Sequence, residues 1–375
     1  MECFTEVLPT RWINLENLLE VLKDLGETVY SLENIKKLAD DILIKNEELI
    51  LFLKYQHKIG NIIFLEDKPN FIILKPSWLV QCFRSLVCDD EKKKQFSIKV
   101  TEMHKLANSG ELSDNLIDAL FANELDIKFT VYKHHILDIM EKFDILVQPQ
   151  LSRTNKISYY MPCMIETSSS LEDIIEENLN FDNYHRTPWL VFEFKFLPIA
   201  YFNHVLFNYI REYRVFDLKS GQPALYTGKA IVYLDQIDYR LLIICFSKNA
   251  ISLQIYSAEE PANSDENDKT HEKILNDLCS EIEKIKNRYM HTISYEMKAK
   301  CSEGVYSKRV GRISYTDLPT TRNDYLCREH NIWHSTEDIE NTWLKYAAVV
   351  SIALLYFKLL KEIERKRHKN ALCII

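Results

Sequence analysis

The spacing of apolar residues changes character near residue 188, and that change restricts the fold more than any other feature of the chain. Before it, helical periods dominate. In "WINLENLLEVLKDLG", Trp12, Leu15, Leu18, Leu19, Leu22 and Leu25 recur at steps of three and four, one helix face ended by Gly26. "SLENIKKLAD" reads as a second helix capped by Ser31. "NEELILFLKYQHKIG" reads as a third, with Leu49, Phe52, Leu53 and Gln56 on one stripe and Gly60 as its stop. "IIFLED" and "NFIILK" flank the turn-forming "DKPN" and predict a hairpin, and Pro76 suits the first turn of a fourth helix. Beyond residue 188 the runs are short and rich in β-branched and aromatic residues. "PWLVFEFKF", "PALYT", "KAIVYLD", "RLLIICFS" and "AISLQIYS" read as strands. A helix opened by Pro198 follows the first of these.

The predicted fold is therefore α+β. A helical, winged-helix-like first lobe with a β-hairpin precedes an antiparallel sheet lobe covered by helices, one of them "HEKILNDLCSEIEKIKNRYM". The predicted boundaries are 1–166 for the first lobe, 167–187 for an acidic linker and 188–295 for the second lobe. A Cys/His-containing extension (296–345) and an apolar-then-basic helix (346–375) follow. "AEEPANSDENDKT" is expected to be a loop.

Composition narrows the function. The 375 residues include only seven glycines, well below the usual ~7%, so glycine-rich phosphate loops and dinucleotide folds are disfavoured. A net charge of −8 argues against a general nucleic-acid binder. The nine cysteines are odd in number and irregularly spaced, which suits reduced, mostly buried thiols and a cytoplasmic location. The chain opens without a signal-peptide pattern.

Four constellations bear on chemistry. "GQPALYTGKA" imitates a phosphate loop, but its glycine spacing is wrong and Ala230 replaces the hydroxyl residue, so a strand–turn–strand is expected. In "CREHNIWH", Cys327, His330 and His334 are spaced like metal ligands, and Cys301 could supply a fourth. The sequence leaves two readings open there: a structural zinc, or a polar loop with one buried cysteine. Apart from that zinc, no cofactor is expected. His134 and His135 are adjacent and point to different helix faces, so they do not form a chelating pair. The apolar run 346–357 is shorter than the roughly 20 residues of a membrane span; a docked helix is favoured over membrane contact through 346–360. No serine-hydrolase, zinc-protease or kinase motif occurs, so the chain is expected not to be an enzyme.

"LPTRWINLENLLEVLKDLGETVYSLENIKKLAD", "FLKYQHKIGNIIFLED" and "FIILKPSWLVQCFRSLV" resemble the first half of a COR (C-terminal of Roc) domain. Ile59-Gly60-Asn61-Ile62 and Pro76-Ser77-Trp78-Leu79 match that family's turn and helix start. "FEFKFLPIAYFNHVL" and "LYTGKAIVYL" are similar to its second half, and the resemblance spans roughly 8–295. COR domains occur in Roco proteins beside a Ras-like Roc GTPase, often with leucine-rich repeats and sometimes a kinase, none of which is visible in this sequence. The resemblance implies a non-enzymatic regulatory scaffold in intracellular signalling. It implies a Roc-type or other Ras-like GTPase domain as partner, and a homodimer formed through 188–256. It places Phe192 at an aromatic GTPase-contacting position, without a tyrosine's hydroxyl. The aromatic-rich segment Trp189–Tyr213 is the candidate interface, with Trp189, Phe192, Phe194, Phe196, Tyr201 and Phe202 either as contacts or as core. The alternative function is a winged-helix-type nucleic-acid binder.

Overall fold

The structure is a computed structural model that describes residues 8–67, 69–87, 100–122, 128–149, 158–179, 184–235, 239–258, 264–289, 293–318 and 324–344. The chain is α+β. It divides into two units: Met1–Ile98 with Asn115–Phe143, and Lys99–Asp114 with Asp144–Ile375. This division differs from the sequence boundaries, because 99–114 and 144–166 cluster with the second unit.

In the first unit, helix Thr10–Asp24 leads to strand β1 (Val29–Ser31), then to helices Leu32–Asp41 and Asn46–Lys58. Ser31 caps the second helix, its hydroxyl accepting from the Asn34 amide at 3.2 Å. The third helix buries Leu49, Phe52, Leu53 and Gln56, the stripe read from its spacing. Leu25 departs from the expected first stripe: it lies past the helix end and is 75% exposed. The expected wing hairpin is also different. Strand β2 (Phe71–Ile73) pairs antiparallel with β1, and "IIFLED" contributes only the isolated bridge Ile63–Ile73. Helix Pro76–Leu86 follows, with Pro76 in its first turn.

This element order recurs along the chain. Helix Val100–Ser109, strand β3 (Glu111–Ser113), helix Asp114–Ala122, helix Lys133–Lys142, a bridge at Val147 and strand β4 (Ser158–Tyr160) follow it with one addition, the one-turn helix Lys128–Val131 between the second and third helices, and β3 is paired to β4. Winged-helix motifs share that order of helix, strand, two helices and strands.

The second unit is built on one large antiparallel sheet. Its strands are β5 (His185–Arg186), β6 (Trp189–Phe194), β7 (Leu225–Tyr226), β8 (Lys229–Tyr233), β9 (Arg240–Ser247), β10 (Ala250–Ser257), β11 (Tyr295–Lys300) and β12 (Ile313–Ser314). Their order is β12-β11-β6-β10-β9-β8-β7, with β5 pairing to β10. The meander β7 to β10 is the one expected, and Thr227-Gly228 makes the β7–β8 turn where the imitation phosphate loop lies.

Both faces of the sheet are covered. Side chains alternate across a strand, so Leu190, Phe192 and Phe194 face one core with Ile251 and Leu253. Helices Ile199–Glu212 and Ser264–Tyr289 cover that face through residues such as Phe202, Leu206, Ile274 and Leu278. The latter helix begins at Ser264, inside the segment expected to be a loop. Trp189, Val191, Ile231 and Ile243 face a second core, covered by helix Leu171–Asn178. That helix corrects the 167–187 linker. Its acidic composition conceals buried Leu171, Ile174 and Ile175 at helical spacing.

The 295 boundary is corrected as well. β11 pairs along the whole of β6, from Tyr295 opposite Phe194 to Lys300 opposite Trp189. The extension therefore begins inside the sheet, where it covers an edge of β6 that would otherwise be open. It ends there too: Trp343 is fully buried and its indole N–H donates to the Pro188 carbonyl at 2.7 Å. No helix among the described residues is long and apolar enough to cross a membrane. The run 346–375 lies outside the described residues.

Candidate metal centre

Between β11 and Trp343 the chain forms a small module with its own core of Ala299, Cys301, Leu318, Tyr325, Cys327 and Ile339. Strand pairing positions its chemistry. Cys301 follows the last residue of β11, held by the turn in which the Gly304 amide donates to the Cys301 carbonyl at 3.0 Å. Cys327 ends strand β13 (Asp324–Cys327), which pairs with β14 (Ile332–Ser335). In the turn between them, the Asn331 amide donates to the Cys327 carbonyl at 2.8 Å. Asn331 adopts φ +57°, a left-handed conformation that asparagine tolerates better than most residues. That tight reversal turns His330 back toward Cys327, and β14 returns His334 to the same place.

The four residues singled out by spacing are thereby brought together. One ligand atom from each of Cys301, Cys327, His330 and His334 lies within 4.8 Å of the other three. The Cys301 and Cys327 sulfurs are 3.7 Å apart. His330 Nδ1 lies 3.4 Å from the first and 3.5 Å from the second. Both cysteines are buried and both histidines half-buried. His334 Nε2 is buried without a hydrogen-bond partner among the described residues. Burial, reinforced by the neighbouring Cys327 sulfur, pushes the Cys301 thiol up. A divalent cation reverses that preference, since thiolates are its ligands.

Sequence reasoning missed what supports this cluster. Lys300 is fully buried, and its ammonium donates to the Lys308 and Val310 carbonyls, each at 2.9 Å. It also pairs with Glu329 at 2.6 Å, and Glu329 accepts the Val305 amide at 3.3 Å. Burial pushes the Glu329 carboxyl up, but the Lys300 hydrogen bond and charge outweigh it and hold it below the usual range. The pair ties the turn holding His330 to the end of β11. Nothing in "YEMKAK" distinguishes its buried lysine from a solvated one.

A second charged constellation lines a cleft of about 440 Å³ that includes Glu193, Lys298, Arg309 and Arg312. Glu193 pairs with Lys298 and Arg309, each at 2.7 Å, and with Arg312 at 3.6 Å. Burial pushes its carboxyl up, but these cations, led by the Lys298 hydrogen bond, hold it below the usual range.

The expected aromatic interface is corrected. Trp189, Phe192, Phe194, Tyr201 and Phe202 are all buried in the two sheet cores, and only Phe196, at 61% exposure, faces outward. Core rather than contact is the reading of that stripe which the packing supports.

No protein-family model and no curated protein sequence matches this chain. Among solved structures, one similar to it is Methanosarcina barkeri Roco2 RocCORdC bound to GDP. The TM-score is 0.32 and the identity 13%, over 42% of this chain and 44% of that one. This chain thus spans less than half the length of that neighbour. A likeness at that level does not establish a shared fold.

Proposed function

We propose that the chain is a non-enzymatic regulatory and scaffold module that binds another protein, and that the β13–β14 hairpin is a contact surface. The observation that carries this is the outer face of the hairpin. Leu326 and Trp333 stand directly opposite each other across the strands, 44% and 61% exposed. The alternate residues Tyr325 and Cys327 are buried beneath. An aromatic–aliphatic pair on a backbone fixed from below is the type of anchor that dominates protein interfaces.

The sequence resemblance to COR domains supports a Roc-type or other Ras-like GTPase domain as the partner, and a homodimer as the assembled state. A pull-down with Ras-like GTPase domains, loaded with GDP or a non-hydrolysable GTP analogue, tests this. The expected result is retention by the wild-type chain and at least about 10-fold weaker retention by Trp333→Ser, as for an interface anchor. Retention of no GTPase domain in either nucleotide state defeats the partner assignment. Equal retention by the variant removes the hairpin from the contact.

The nucleic-acid reading keeps one supporting observation, the recurring winged-helix order of elements. The net charge of −8 opposes it.

A further inference from the structure

We propose that Cys301, Cys327, His330 and His334 form a four-ligand structural zinc site that fixes the fold of the 301–344 module. This goes beyond the interaction reading and does not depend on which partner is bound.

Distances carry the argument. Tetrahedral zinc with Zn–S near 2.3 Å and Zn–N near 2.0–2.1 Å requires sulfurs about 3.8 Å apart and sulfur–nitrogen separations of about 3.6 Å. The observed separations are 3.7 Å between sulfurs, and 3.4 and 3.5 Å from His330 Nδ1 to each sulfur. A disulfide is excluded at that separation, because its bond length is about 2.05 Å.

Hydrogen bonding alone accounts for the cluster less well. A neutral imidazole nitrogen has one lone pair, so His330 Nδ1 can accept from only one of the two thiols that approach it. His334 adds a buried Nε2 with no hydrogen-bond partner among the described residues. Unpaired buried polar atoms are uncommon in native structures, and a missing ion is one recognised cause.

Ligand chemistry selects the metal and its role. Two sulfurs and two imidazoles in a tetrahedral set suit zinc, while magnesium and calcium prefer oxygen. Four protein ligands complete the coordination and leave no position for a reacting water, which defines a structural rather than a catalytic site. Binding exchanges the two thiol protons for one Zn²⁺: two S–H bonds break, two Zn–S bonds form, and two protons leave to solvent. The charge of the resulting centre is then zero. The ligands come from the end of β11 and from both strands of the β13–β14 hairpin, so the ion joins the hairpin to the large sheet.

The test uses the untagged 375-residue chain. Elemental analysis after gel filtration is expected to give one zinc per chain. Cobalt(II) added after chelation is expected to give the visible absorption of a tetrahedral ion with thiolate charge transfer in the near ultraviolet. Cys327→Ser is expected to abolish that charge-transfer pattern in its two-thiolate form. Should that variant not fold, His334→Gln, altered at a half-buried position, carries the test. Its zinc affinity should fall by more than about 100-fold, beyond what loss of an outer hydrogen bond causes. Well under one zinc per chain together with no tetrahedral cobalt spectrum overturns the proposal. So does His334→Gln binding zinc as tightly as the wild type.

Discussion

A Cβ on Gly304 would lie 2.4 Å from Lys300 Cε and 2.9 Å from Cγ. Lys300 cannot swing aside easily, since its ammonium is fixed by two carbonyls and the Glu329 carboxylate. Gly304→Ala should therefore destabilise the chain by about 1–3 kcal/mol, the range for overpacking a filled site. Thermal unfolding checks this, and an unchanged Tm would show that the Lys300 chain has somewhere else to go. At this scale the sequence was uneven. Cys327, His330 and His334 were legible as a candidate set because spacing within one hairpin is local. Cys301 was legible only as a candidate, since 26 residues separate it from Cys327. Lys300 and Glu329 were not legible at all, because burial of a charged side chain depends on what packs around it. The aromatics from Trp189 to Phe202 carried the opposite ambiguity. A ring suits a core and an interface equally well, and only the packed sheet placed five of the six inside.

Helix Leu171–Asn178 shows what a single element contributes. Ser170 caps it, its hydroxyl accepting from the Asp173 amide at 3.0 Å. Ile174 is buried in the core that backs Trp189 and Val191. Ile174→Ala should cost about 2–5 kcal/mol, as for other large-to-small core changes. Urea unfolding measures it, and a loss below about 0.5 kcal/mol would assign the residue to the surface instead. This helix was hidden in the sequence because four acidic residues in eight suggested a solvated linker. The strands β9 and β10 were legible because the first holds an unbroken apolar run, the second places apolar residues at alternate positions, and a short turn joins them. The wing hairpin shrank to the single antiparallel bridge Ile63–Ile73 for the converse reason. A β-rich segment announces that it will pair, but its partner is chosen by proximity, and β2 found β1 some forty residues earlier.

For the whole molecule, the interaction reading predicts that purified protein does not hydrolyse GTP above background. Turnover that co-purifies with the chain and survives further fractionation would defeat it. The scarcity of glycine supports this expectation, as does the β7–β8 hairpin at the imitation phosphate loop. The sequence by itself determined the α+β class, the helix faces, the meander and the chemical identity of the four clustered cysteine and histidine side chains. These follow from periodicity and residue chemistry, which act over a few positions. Tertiary structure alone decided that the extension enters the sheet as β11, that both sheet faces are covered, and that Cys301 meets Cys327 and the histidines. Those outcomes depend on contacts between segments far apart in the chain, whose closure is governed by the packing of the entire unit.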